Sequence, residues 1–269
     1  MIPVLTVPEM ATDLMSATVQ LEQPLPDGSM TVATGFLVND PTPDGRPRIV
    51  LVTANHVFAG MPGDQAQIGF RVKGADGAWT FAPETLPIRA HGKPLWRKNP
   101  SRDVAVIAIA APPEFAKAAI PLAWIAGDES LSQSALTPGE EMMTLGYPQG
   151  LSANPAGFPI LRTGRVASYP VGPSSISPTF LLDFPAFPGN SGGPVWLDGA
   201  GEPNLVAGIL TQQVEKGGEP LGIGVVVQAQ FIRDTISQLD APAGAAATPT
   251  QTAAVTAPSV ASNASAVKK

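Results

Sequence analysis

Three short stretches carry residues that could do chemistry together. In LVTANHVF (51–58), His56 follows an apolar run ending in Thr53-Ala54. Imidazole exchanges its proton near neutral pH, so a histidine set just past a buried strand suits a general base. In SRDVAVIAI (101–109), Asp103 stands immediately before an apolar run. A carboxylate there is costly unless it is paired, and an imidazole N–H is a suitable partner. In FPGNSGGPVW (187–196), Gly189, Gly192 and Gly193 surround Ser191. Glycines permit a tight turn that exposes the serine hydroxyl and aims successive backbone N–H groups into one small space, the arrangement of an oxyanion hole. Taken singly, each stretch has an ordinary reading as a core histidine, a turn aspartate or a Gly/Ser loop. Taken together they supply a nucleophile, its base and the group that orients the base, the equipment of acyl transfer.

Elements able to position these residues are strands. The chain has 269 residues, enough for one large or two small domains, and is 44% hydrophobic against 14% charged, enough for a core. Its 27 glycines and 30 prolines punctuate short apolar runs, which favours an all-β fold. The pattern predicts strands over 16–22, 30–38, 48–54, 67–73, 103–109, 141–147, 160–170, 179–184, 205–212 and 222–227. In QAQFIRDTISQL (228–239), Phe231, Ile232, Thr235, Ile236 and Leu239 fall at helical spacing. About a dozen short strands and one late helix fit two six-stranded antiparallel β-barrels with a short C-terminal helix. The first barrel would span about 14–115 and the second about 125–227, joined across the strand-poor segment 111–140. Residues 1–13 read as an N-terminal extension. The Ala/Thr/Pro-rich stretch 241–269 has no large apolar residue and reads as a disordered tail.

Composition excludes several other functions. A net charge of −6 offers no basic face for nucleic acid. With no cysteine there is no disulfide framework, thiolate metal site or cysteine nucleophile, and two histidines make a histidine-rich metal site a poor fit. No metal or cofactor is expected. No apolar run approaches the ~20 residues of a membrane span. The start, MIPVLTVPEMATDLM, does not read as a secretory signal. This leaves a protein kept inside the cell or one whose leader is already removed.

LVTANHVF, DVAVIAI and PGNSGGPV resemble the three signature stretches of trypsin-like serine proteases, in the form found in bacterial HtrA-type protease domains. TGFLV (34–38), GYPQG (146–150), TGRVAS (163–168) and GIGVVV (222–227) extend the likeness over roughly 14–240. The order His–Asp–Ser is also that of the chymotrypsin type, whereas α/β-hydrolases and subtilisins use other orders. The resemblance implies a serine endopeptidase acting on polypeptides. Ser191 would be the nucleophile, His56 the base and Asp103 its orienter, with the N–H groups of Gly189 and Ser191 forming the oxyanion hole. It places Thr211-Gln212-Gln213 along the substrate strand and the Thr211 hydroxyl beside the triad aspartate. Pro185 stands where trypsin has its specificity aspartate, and Leu210 where glutamate-specific relatives have a histidine. Neither Arg/Lys nor Glu specificity is therefore supported. With Ile223 and Val225 as an apolar wall, small or medium aliphatic P1 residues are expected.

The departures from the family are informative. HtrA proteins carry PDZ domains after the protease domain, where this sequence has a helix and a low-complexity stretch. That implies regulation without PDZ domains. Trypsins have an aspartate before the serine that pairs with a newly cut N-terminus, whereas here the residue is Asn190. Activation by clipping is therefore not expected. HtrA relatives are mostly periplasmic or secreted and form trimers through N-terminal segments. This N-terminus is unlike theirs, so a homo-oligomer is possible but not derivable. The alternative reading is a catalytically silent or conformationally gated trypsin-fold binding or regulatory protein, and esterase action at the same site would use the same groups.

Overall fold

A computed structural model of the chain describes residues 7–134, 136–197 and 205–240, so the expected tail, 241–269, lies outside the described residues. The N-terminal half holds β1 (Thr18–Pro24), β2 (Met30–Asn39), β3 (Ile49–Thr53), β4 (Gln65–Lys73), β5 (Trp79–Pro87), β6 (Arg89–Ala90), β7 (Lys93–Pro94), β8 (Arg97–Lys98), β9 (Ala105–Ile109) and β10 (Ile120–Pro121). Its longer strands pair in the order β5-β4-β1-β2-β3-β9; the dipeptides β8 and β10 join β9 and β2, and β6 pairs with β7. The second half holds β11 (Glu141–Gly146), β12 (Ile160–Val166), β13 (Thr179–Asp183), β14 (Pro194–Leu197), β15 (Val206–Lys216) and β16 (Glu219–Gln228). These close a barrel in the order β11-β12-β13-β16-β15-β14. The helices are α1 (Val7–Ala17), α2 (Asn55–Gly60), α3 (Pro113–Ala118), α4 (Asp128–Gln133) and α5 (Gln230–Ser237).

This is the expected all-β architecture with a late helix: the second unit is a closed six-stranded antiparallel barrel, while the first is an eight-stranded sheet in which six longer antiparallel strands are joined by β8 and by β10, the latter parallel to β2. Buried Phe36, Val52, Phe70 and Val106 fill the first unit, and Leu145, Phe180, Trp196 and Val226 the second. Each such side chain stabilises the fold by about 1.5–3 kcal/mol. The helix α5 buries Ile232, Thr235 and Ile236. Asn99, just before β9, donates to the Thr235 hydroxyl at 3.0 Å, tying the helix back to the first unit.

Some elements differ from the sequence reading. Inside the stretch read as an extension, the chain turns into α1 from Val7. Met10, Leu14 and Ala17 share one helical face and are buried. The first strand consequently starts at Thr18. β5 was not anticipated because it contains Pro83 and Pro87; it lies at the end of the strand order, where a missing N–H is tolerated. The crossing segment 111–140 carries α3 and α4.

Two central strands set up the chemistry. All five residues of β3 are buried. β3 runs antiparallel to β9 in the register Val52↔Val106 and Thr53↔Ala105. That register brings the end of β3 to the start of β9, so residues 56 and 103, far apart in sequence, lie at one end of the same strand pair.

Candidate active site

His56 sits in the first turn of α2, directly after β3. Arg89 holds the far end of this short helix by donating to the carbonyls of Phe58, Met61 and Gly63 at 2.6–2.8 Å. The His56 backbone N–H donates to Asp103 Oδ1 at 2.9 Å, and its Nδ1 meets Asp103 Oδ2 at 2.6 Å. Burial works to raise the Asp103 pKa. The bond and charge of the His56 ring, with the N–H groups of His56 and Asn55, outweigh burial and hold the carboxyl below its ordinary 3.8. An ionised carboxylate only accepts, so the shared proton belongs on Nδ1 and the free lone pair on Nε2. The His56 side chain is 48% exposed and that of Asp103 23%, which leaves the outer nitrogen open to a reactant.

Ser191 lies in the turn before β14. Glycine is required on both sides of it. Gly189 has φ +96°, and a Cβ there would lie 2.1 Å from the Tyr147 carbonyl O. Gly192 has φ +89°, and its Cβ would lie 2.1 Å from Thr34 O and 2.3 Å from Thr53 Oγ1. This second approach packs the serine turn against the end of β3, the strand that leads to His56. The Ser191 hydroxyl donates to the Thr211 carbonyl O at 3.1 Å. Among the described residues it makes no hydrogen bond with His56.

Thr211 does not take the place expected of it. Its hydroxyl donates to Val225 O at 3.3 Å and not to Asp103. The β15–β16 register shifts between Leu210 and Gln212, so Thr211 is the residue in the irregularity, with its hydroxyl turned back to β16 and its carbonyl toward Ser191.

A cavity of about 280 Å³ opens beside Ser191. Leu210, Thr211, Gln212 and Gln213 line it, as the sequence reading proposed. Pro185, Ile223 and Val225 do not. The Pro185 carbonyl accepts a bond from Arg162 at 2.8 Å. Ile223 and Val225 belong to β16, the next strand beyond β15. Ala186, Phe187, Pro188 and Glu215 line the cavity in their stead. The sequence signal for the first three was their continuity with the Ser191 turn. Larger cavities lie elsewhere, one of about 610 Å³ beside Leu131, Leu136 and Val171, but no histidine lines that one. β14 pairs with β15 only over Val206–Ile209, so on that side the stretch from Thr211 to Gln213 has no strand partner among the described residues. Among the described residues, no three His, Cys, Asp or Glu side chains group as metal ligands. No helix there is long and apolar enough to cross a membrane.

The fold is that of a trypsin-like peptidase domain. The trypsin-like peptidase domain family matches residues 33–209, and the chain belongs to that family. Similar solved structures include the HtrA-type protease AlgW in three complexes. A Ser→Ala variant with a tripeptide is 18% identical, with TM-score 0.57 over 88% of this chain and 64% of that one. The same variant with a decapeptide is 17% identical, with TM-score 0.54 over 87% and 67%. AlgW itself with a decapeptide is 18% identical, with TM-score 0.51 over 87% and 67%. At this identity the likeness is one of fold, and the chain spans 64% to 67% of those proteins' length. A search of curated proteins finds no match.

Proposed function

We propose that the chain hydrolyses peptide bonds in polypeptides through His56, Asp103 and Ser191, by way of an acyl-enzyme. Ser191 Oγ attacks the scissile carbonyl carbon while His56 Nε2 takes the hydroxyl proton. The carbonyl π pair moves onto oxygen, where the N–H groups of Gly189 and Ser191 stabilise the negative charge. The C–N bond then breaks, and His56 returns the proton to the leaving amine. Water repeats the sequence on the acyl ester and frees the acid and Ser191. Asp103 keeps the imidazole in the needed tautomer and stabilises the imidazolium. The observation that carries this reading is the 2.6 Å pairing of His56 with a low-pKa carboxylate, at the end of β3 against which the Ser191 turn is packed.

Polypeptides are the expected substrates. The strand-free edge from Thr211 to Gln213 suits an extended chain added as a further strand, and the AlgW complexes hold peptides. A P1 side chain would enter the cavity beside Ser191. Its buried apolar lining of Ala186 and Leu210 favours small or medium aliphatic groups. A second reading is a site that rests closed, drawn from the Ser191 hydroxyl being turned to Thr211.

Fluorophosphonate labelling of wild type and Ser191→Ala, with casein cleavage in parallel, tests the proposal. Labelling and cleavage that both vanish in the variant are expected. Their absence from the wild type would favour the closed site, and equal labelling of both proteins would overturn the assignment of Ser191. A P1 profile dominated by Arg, Lys or Glu would overturn the specificity.

A further inference from the structure

The turn that bears Ser191 is held peptide by peptide. The Pro188 carbonyl accepts the Gln149 N–H at 2.6 Å. The Gly189 carbonyl accepts the Thr34 hydroxyl at 2.6 Å. The Asn190 N–H donates to Phe187 O, and the Asn190 carbonyl accepts the Gly193 N–H, both at 3.0 Å. In a planar trans peptide the C=O and N–H point in opposite directions, so fixing each carbonyl fixes the N–H that follows it. The two N–H groups assigned to the oxyanion, those of Gly189 and Ser191, are left with no hydrogen-bond acceptor among the described residues.

Only one of these holds is a side chain, and it comes from the other half of the molecule. Thr34 of β2 is fully buried. Its hydroxyl donates to Gly189 O and accepts the Tyr147 N–H at 3.2 Å. Its own N–H donates to Ser191 O at 2.9 Å. Its carbonyl accepts the Thr53 hydroxyl at 2.7 Å, on the strand leading to His56. One residue thus touches the histidine strand, the Tyr147 turn and both ends of the segment from Gly189 to Ser191. Its hydroxyl uses both donor and acceptor capacity, which an isosteric methyl cannot do.

We infer that Thr34 is a positioning residue for the oxyanion hole, fixing the Gly189–Asn190 peptide that sets the Gly189 and Ser191 N–H groups relative to each other before substrate arrives. This rests on the peptidase reading above and adds to it a residue from outside the three signature segments. Removing the hydroxyl leaves the Gly189 carbonyl and the Tyr147 N–H without these partners, and the Gly189–Asn190 peptide that links the two donors is then held only by its N–H to Phe187 O.

The test compares wild type, Thr34→Val and Thr34→Ser, with Ser191 sites counted by fluorophosphonate. Thr34→Val is expected to lower kcat by about 100-fold with KM nearly unchanged. It is expected to weaken a peptide aldehyde, which needs the oxyanion donors, in the same proportion. Thr34→Ser, which keeps the hydroxyl, is expected to recover most of both. Crystal structures of wild type and Thr34→Val give a readout that does not depend on turnover. A wild type that does not turn over would count against the peptidase reading, while the crystal comparison would still decide the role of Thr34. An unmoved Gly189 carbonyl in Thr34→Val, or a rise in KM alone, would overturn the inference. So would a kcat loss that merely follows the folded fraction measured by thermal melting.

Discussion

Gly189→Ala probes the serine turn most directly. The added Cβ would lie 2.1 Å from Tyr147 O and 3.2 Å from Gln149 N, both backbone atoms fixed by their own bonds. Carbon and oxygen approach to about 3.3 Å at closest, so something must give by roughly 1 Å. The turn is the part that can move, and a displacement of this size costs about 100-fold in a reacting geometry. If the Gly189 donor is lost altogether, the penalty is about 2.7–4 kcal/mol in the transition state, or 10²–10³-fold in kcat. The φ of +96° adds strain of about 1–2 kcal/mol, which falls on stability. Gly45→Ala separates the two effects. Gly45 has φ +81° with nothing within 4 Å of a Cβ, and it lies at the far end of β3 from His56. The control is expected to lose a similar amount of stability with kcat intact. The assay is kcat and KM on a fluorogenic peptide, with melting temperatures taken in a Ser191→Ala background to prevent self-digestion. A folded Gly189→Ala enzyme with kcat within about threefold of wild type would refute the reasoning.

Other outcomes follow from the same geometry. Asp103→Asn is expected to lower kcat by about 10,000-fold, because the amide favours the wrong imidazole tautomer; stopped peptide assays at neutral pH check this. Since the Asp103 carboxyl is held below its ordinary 3.8, its contribution to stability is present above that value and is lost as pH falls through the lower folded value. Urea unfolding of Ser191→Ala with and without Asp103→Asn should therefore converge only below about pH 4. Arg71 is buried and donates to the carbonyls of Met15, Ser16, Thr18 and Gly157 and to the Tyr147 hydroxyl. Arg71→Met is expected to cost about 3–5 kcal/mol in unsatisfied carbonyls and about 10 °C in melting temperature, and a change under about 2 °C would contradict this. Burial, eased by the nearby Arg71, pushes the Tyr147 phenol up to about 12. Ultraviolet titration of Tyr169→Phe should show that late ionisation, with stability falling as pH rises from the ordinary 10 through it.

The sequence was most legible where composition and chemistry coincide. The apolar runs at β3 and β9 announced themselves as buried strands, and the residues at their joined ends were the candidate base and its orienter. The glycines of the serine turn were legible because close backbone approach leaves few alternatives. What escaped were effects of tertiary context. β14 was hidden because Pro194 begins it and Gly192-Gly193 precede it, so it read as loop. The α1 face of Met10, Leu14 and Ala17 was too short a signal to stand out before the strands began. The cavity lining failed for a geometric reason. Ile223 and Val225 are apolar and near in sequence to the right strand, but β15 comes between them and Ser191. The irregularity at Thr211, which turns its hydroxyl from Asp103 toward Val225, has no sequence signature beyond an ordinary β-branched residue.

Asn190 draws these threads together. An aspartate at this place needs a cation, and in trypsins a new N-terminus supplies it. Here the side chain is a neutral amide, 2% exposed, and its Oδ1 accepts the Phe187 N–H at 3.0 Å within the turn itself. The turn is therefore closed internally and then held from outside by Gln149 and Thr34. Those holds trace back through the Tyr147 turn to Arg71 and the carbonyls at the end of α1. This bracing contains no charge that a cut N-terminus would pair with. Through Thr34 and Arg71 the bracing joins the Ser191 turn to the first unit of the fold.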